Sequence, residues 1–196
     1  MHDIYSSHAF EETYTYTGTD LGAIWYADKT TFRLWSPTAK AAWVKLYRSG
    51  DPDAQDLMEV LPMTASGHGT WTAEKKGNLH GIYYTFLADV NEKIVEACDP
   101  YARTTGVNGQ RAMVIDLTST NPDGWETDRD PNPSGKITEA VIYELHVRDF
   151  SSNTGSGIKN KGKFLGFTEP GKKGIRTGLP YIQDLGITHV HLLPVY

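Results

Sequence analysis

Trp43-Val44-Lys45-Leu46-Tyr47 sets apolar Val44 and Leu46 between Trp43, Lys45 and Tyr47. That period of two predicts a strand with one face toward a core. Downstream, Ile82-Tyr83-Tyr84-Thr85-Phe86-Leu87 is rich in aromatic and β-branched residues, which suit a pleated surface. Met113, Ile115 and Leu117 alternate with Ala112, Val114 and Asp116 in the same way. Turn chemistry separates these runs at Ser49-Gly50-Asp51-Pro52, Ser66-Gly67, Lys76-Gly77-Asn78 and Asp99-Pro100. The β pattern runs from Phe32 to about Leu117. Short strands at this spacing predict an antiparallel β-sandwich of the immunoglobulin-like kind.

The pattern breaks between Ser119 and Gly135, where three prolines and two glycines preclude helix or central strand. Beyond this linker, Ala140–Val147 reads as a mostly apolar strand and Ser151–Gly178 as a long Gly/Lys-rich loop. Leu179–Leu185 reads as a short helix, with Pro180 in its first turn and Gly186 as C-cap, and Ile187–Leu193 as a second buried strand. Strand, helix, strand predicts a βα unit of a parallel sheet. A (β/α)₈ barrel takes about 250 residues and eight strands, so either the chain is a fragment of a longer protein or this part is not a barrel start; the expectation is the fragment, with the first two strands and one helix of a barrel continued beyond Tyr196. The expected domains are an extension over 1–20, a sandwich over 21–118, a linker over 119–137 and a truncated barrel start over 138–196.

Composition narrows the function. With 39% hydrophobic residues the chain can bury a core, and a formal net charge of −5 argues against nucleic-acid or anionic-membrane partners. Cys98 is the one cysteine, which excludes an intrachain disulfide and a zinc site built on several thiolates. The opening residues lack a basic and then apolar signal-peptide pattern, and no apolar run approaches membrane-span length. A cytoplasmic protein without cofactor is expected.

Several motifs suggest chemistry and have plainer readings. Gly157–Lys163 fits half of a phosphate-binding loop, but Phe164 stands where Ser or Thr should hold magnesium. Gly166–Lys172 makes the same near-match, so both reflect Gly and Lys density in a surface loop. His189 and His191 share one strand face and could ligate zinc, yet further ligands are needed; hydrogen-bonded histidines are the plainer reading. Asp149, just after the first parallel strand, is a geometric candidate for catalysis, but a single carboxylate beside Arg148 reads as local pairing. Trp43 and Tyr47 share one strand face and suit the flat C–H faces of sugars. Packing of that face on another domain or under a loop is the alternative, and buried aromatics are the commoner case. Trp35 and Trp71 read as core or hinge packing.

Taken together, the segments resemble the type I pullulanases, α-1,6-debranching members of the α-amylase superfamily (glycoside hydrolase family 13). LGAIWYADKTTFRLWSPTAKAAWVKLY resembles the start of that family's carbohydrate-binding module, and GTWTAEKKGNLHGIYYTF its following hairpin. DPYARTTGVNGQRAMVIDL, from Asp99 to Leu117, is the most specific segment. VIYELHVRDFS and LGITHVHLLPVY are similar to the first and second barrel strands. The resemblance implies retaining hydrolysis of α-1,6 branches in pullulan, glycogen or starch limit dextrins, by carboxylates about 5 Å apart. The family's catalytic Asp, Glu and second Asp lie on later strands, so no catalytic residue is expected within this chain. The implied partners are α-glucan, bound through Trp43 and Tyr47, and the remaining catalytic barrel. A non-catalytic, α-glucan-binding or regulatory sandwich is the competing reading.

Overall fold

The computed structural model describes residues 5–129, 135–172, 174 and 177–195. Residues 1–4 of the extension, 130–134 of the linker, Lys173, Ile175 and Arg176 of the loop, and Tyr196 therefore lie outside the described residues. The chain divides into two compact units, Met1–Trp125 and Glu126–Tyr196.

The first unit is a sandwich of two antiparallel sheets. One sheet is built from β1 (Gly22–Trp25), β2 (Lys29–Trp35), β5 (Thr64–Ala65) and β6 (Thr70–Lys76), in the order β1-β2-β6-β5. The other contains β3 (Ala41–Tyr47), β4 (Leu57–Pro62), β7 (Tyr83–Val90) and β8 (Lys93–Ala97), in the order β4-β3-β7-β8, with the short β9 (Ala112–Met113) paired to β7. The alternation on β3 is realised: Ala42, Val44 and Leu46 are buried in the core, while Trp43 and Lys45 stay half-buried on the other face. From the facing sheet Phe32 enters the same core, with Leu34, Trp71 and Ala73 packed against it. Tyr84 packs edge-on to both Phe32 and Phe86, at centroid distances of 5.2 and 5.6 Å.

The strands differ from the sequence pattern at their ends. The β region begins at Gly22, ten residues before Phe32, because Ala27-Asp28 closes a tight hairpin between Tyr26 and Lys29. Strand β7 runs on to Val90 and turns through Asn91 and Glu92, both at positive φ, the backbone of a two-residue hairpin turn. Of the Ala112–Leu117 alternation only Ala112 and Met113 join a ladder; Val114 is still buried, and Leu117–Thr120 winds into a 3₁₀ turn. Before β1, helix α1 (His8–Tyr14) is capped by Ser7, whose Oγ accepts from the Phe10 amide. Trp35 donates from Nε1 to the Tyr14 carbonyl and Trp71 to that of Ser36.

In the second unit β10 (Ile142–Leu145) and β11 (His189–Leu192) pair in parallel, as the strand-helix-strand reading requires. The first strand is shorter than predicted: after His146 the chain turns into helix α2 (Val147–Ser152), whose Phe150 amide donates to the His146 carbonyl. Helix α3 (Gly178–Asp184) carries Pro180 in its first turn. It ends in a Schellman motif, with Gly186 at φ +73° and the Ile187 amide reaching the Ile182 carbonyl. Both strands were expected to be buried. Instead Val141, Ile142, Tyr143 and Val190 are exposed, since the two strands alone supply no covering layer.

The buried pair Tyr84–Asp99 ties β7 to the segment after β8. Tyr84 Oη donates to Asp99 Oδ2 at 2.6 Å, and the Tyr101 amide donates to Oδ1 at 2.8 Å. Burial pushes the Asp99 carboxyl up despite these hydrogen bonds, and burial followed by the facing carboxylate pushes the Tyr84 hydroxyl far up. A carboxyl whose folded pKa exceeds its unfolded value stabilises the fold fully below the ordinary carboxylate range. That contribution is lost as pH rises through the folded pKa. In urea unfolding at neutral pH, Asp99→Ala is expected to lose about 2 kcal/mol by stranding the Tyr84 hydroxyl. Asp99→Asn, which keeps an acceptor, is expected to lose less and to flatten stability across the acid range.

Candidate functional site

The outer face of the five-stranded sheet carries a groove of about 720 Å³, lined by residues that include Lys45, Tyr47, Asp56, Thr85, Glu96 and Arg111. Strand registry assembles it. On β3, Lys45 and Tyr47 leave the same face; on β7, Thr85 is the cross-strand partner of Lys45. Glu96 on β8 then receives three donors: Lys45 Nζ at 2.6 Å, Tyr47 Oη at 2.5 Å and Thr85 Oγ1 at 2.7 Å. Burial acts to raise the Glu96 pKa, but these donors outweigh it and hold the carboxyl below its usual range. The hydrogen bond to Glu96 raises Lys45, and burial followed by the same carboxylate raises Tyr47.

Arg111, just ahead of β9, also lines the groove. Its guanidinium lies 3.7 Å from the centroid of the Tyr47 ring and pairs with Asp56 Oδ1 at 2.8 Å. Each cation in the groove thus has its own anion, Lys45 with Glu96 and Arg111 with Asp56. The lining is left with the side-chain amides of Gln55 and Gln110 beside the apolar edges of Pro52, Ala54 and Leu57. Such a surface suits an uncharged, hydroxyl-rich ligand better than an ion. Cys98 lies on the lining too, and burial pushes its thiol up.

Trp43 and Tyr47 do share one face, but the structure places them differently. Tyr47 is 7% exposed, with one ring face under Arg111 and its hydroxyl on Glu96. Trp43 lies four residues along, about 13 Å at strand rise, outside the groove lining and between the cross-strand partners Pro62 and Leu87. Sequence reasoning did not find Lys45, Asp56, Thr85, Glu96 or Arg111. Lys45 was visible as the residue between Trp43 and Tyr47; the others come from distant segments.

The remaining candidates engage neighbours. Glu144, on β10, has its Oε2 3.5 Å from His191 Nδ1, Asp149 Oδ2 lies 3.7 Å from His146 Nδ1 without a hydrogen bond, and Thr188 Oγ1 is 2.8 Å from His189 Nδ1. Among the described residues, no group of three or more His, Cys, Asp or Glu side chains gathers at metal-holding spacing. In the Gly/Lys-rich loop, the amides of Lys159 and Asn160 donate to the Glu169 carboxylate, so the chain's own anion occupies them. Among the described residues no helix is long and apolar enough to cross a membrane.

Residues 20–102 match the family described as carbohydrate-binding module 48 (isoamylase N-terminal domain). Over 190 residues the chain is 38% identical to the pullulanase of Bacillus subtilis (strain 168), a match covering 95% of this chain and 25% of that protein. It is 34% identical over 196 residues to pullulanase 1, chloroplastic, of Arabidopsis thaliana, covering 95% of this chain and 20% of the relative. The crystal structure of the Paenibacillus barengoltzii pullulanase in complex with maltohexaose and α-cyclodextrin is similar at a TM-score of 0.88 and 49% identity. That likeness covers 97% of this chain and 29% of the solved one. The chain therefore spans about a quarter of the length of the relatives it matches.

A carboxyl with a lowered folded pKa stabilises the fold above the ordinary carboxylate range, and the effect is lost as pH falls through the folded value. Glu96→Ala is expected to cost about 1 kcal/mol at neutral pH, a modest figure because water partly screens this half-exposed carboxylate. In urea titrations the gap between variant and parent is expected to close in acid, where the parent's Glu96 is protonated.

Proposed function

We propose that this chain is the N-terminal part of a pullulanase-type glycoside hydrolase that cleaves α-1,6 branch linkages in α-glucans such as pullulan, glycogen and starch limit dextrins. The observation that carries this reading is the 49% identity, over 97% of the chain and both of its units, to a pullulanase crystallised with maltohexaose and α-cyclodextrin. In this reading β10, α3 and β11 are the first strands and helix of a (β/α)₈ barrel. Their parallel pairing supports it, because parallel strands require a crossover such as α3 and cover on both faces.

The chemistry would be a retaining double displacement: one carboxylate attacks the anomeric carbon while a second carboxylic acid protonates the leaving oxygen. The pullulanase resemblance puts both carboxylates on later strands, so the pair is assigned to other strands of the parent enzyme. The sandwich would hold α-glucan along the outer face of its five-stranded sheet. Trp43 would offer an apolar ring and the groove around Tyr47 the side-chain amides of Gln55 and Gln110. The groove lies wholly within Met1–Trp125, which favours, as a second reading, a glucan-binding role that needs no catalysis by this chain.

Affinity electrophoresis separates the parts of this proposal. The 196-residue chain is expected to be retarded in gels containing glycogen or pullulan but not dextran, and Trp43→Ala to weaken the retardation. Equal migration in all gels, for protein shown by circular dichroism to be folded, would remove glucan binding from the sandwich. The same chain is expected to release no reducing sugar from pullulan; release would overturn the assignment of the catalytic carboxylates to other strands.

A further inference from the structure

We propose that Arg111 is a positioning residue that sets the shape of the groove by holding its 49–56 wall in place; this rests on reading the groove as an α-glucan site. Arg111 is buried, at 5% exposure, and both of its terminal nitrogens are engaged. Nη1 donates to the Ser49 carbonyl at 2.9 Å and to Asp56 Oδ1 at 2.8 Å, and Nη2 donates to the carbonyls of Pro52 and Ala54, each at 3.3 Å. One side chain thus gathers three main-chain carbonyls and one carboxylate from a single loop. The planar fork of an arginine can do this and a lysine ammonium cannot, since it has fewer donors and no flat face for Tyr47.

Around this clamp the loop is drawn tight. Asp56 Oδ2 accepts from the Ser49 amide at 2.6 Å, closing the loop on itself. The Val107 amide donates to the Gly50 carbonyl at 2.9 Å, and the Gly106 amide to the Arg111 carbonyl at 2.8 Å. Gly50 and Gly106 pass so closely that a Cβ built on Gly50 would stand 2.6 Å from the Gly106 Cα and 2.6 Å from Tyr83 Cε1. Pro52, Ala54, Gln55 and Asp56 of this loop line the groove together with Lys45, Thr85 and Glu96. The strand-borne side is fixed by the sheet, so the width of the groove depends on where Arg111 holds the loop.

The test compares the 196-residue chain with Arg111→Lys, Asp56→Asn, Gly50→Ala and, as a control of stability alone, Phe32→Leu in the core of the opposite sheet. The readouts are melting temperature, dissociation constant for glycogen from affinity electrophoresis, and hydrogen exchange at the Ser49 and Val107 amides. All three loop variants are expected to speed exchange at these amides and to weaken glycogen binding about tenfold, the scale of losing a charged hydrogen-bond set. Phe32→Leu is expected to lower the melting temperature with binding unchanged. If Arg111→Lys does not fold, Asp56→Asn and Gly50→Ala carry the comparison. Parent-like exchange and affinity in the folded loop variants would overturn the proposal, as would an equal loss of affinity in Phe32→Leu. If the parent chain itself fails to bind glycogen, the glucan reading falls. Amide exchange then decides the role of Arg111, faster exchange supporting it and unchanged exchange overturning it.

Discussion

Successive side chains on a strand leave on opposite faces, so β3 cannot slip by one residue without exchanging its two surfaces. A slip would bring Lys45 into the place of Val44 or Leu46 and put those two in water. Burying each of these aliphatic side chains is worth about 1.5–3 kcal/mol, and an unpaired buried ammonium costs far more. With β4 on one side and β7 on the other, β3 passes its register to both neighbours. The core and the groove are therefore two faces of one constraint: whatever fixes Val44 inside also fixes Lys45 and Tyr47 outside, opposite Thr85 and within reach of Glu96.

That outer face is polar without being charged in sum. Lys45 is matched to Glu96 and Arg111 to Asp56 at hydrogen-bonding distance, so an approaching ion would have to break a pair before gaining a partner. A neutral sugar faces no such cost. It could exchange hydrogen bonds with the Gln55 and Gln110 amides and lay C–H groups against Pro52, Ala54 and Leu57, all of which line the groove. The pairing that stabilises the face also selects the class of ligand it can take.

The alternation of Trp43–Tyr47 made the central strand legible because the signal is local: five residues carry it. The parallel βα unit was legible for a similar reason, with Pro180 and Gly186 marking a short helix at both ends. The groove was not legible, because its members meet only through pairing over long separations. Lys45 and Glu96 are 51 residues apart, and Arg111 reaches back 55 residues to Asp56 and 62 to Ser49. Nothing in the Asp99–Leu117 segment says that its arginine will lie over the ring of Tyr47. The loop from Ser151 was read as Gly/Lys-rich surface chain, but its order comes from Glu169, which binds the Lys159 and Asn160 amides from ten and nine residues away. A lone glutamate in a polar loop carries no mark of that role.

The second unit poses a different physical question. An antiparallel sandwich may leave its outer faces in water, and the first unit does so. A parallel pair has no such freedom, because its crossover helix covers only one face. Fixing the backbone of the eight residues in β10 and β11 costs on the order of 10 kcal/mol, and a few ladder hydrogen bonds return about 1 kcal/mol each. The offset has to come from burial, yet Ile142, Tyr143 and Val190 are exposed. The barrel proposed above would answer two needs of such strands, layers on the faces now open and neighbours at their edges. A closed barrel meets both requirements at once, since it removes the sheet edges and places every strand between a packed interior and an outer ring of helices.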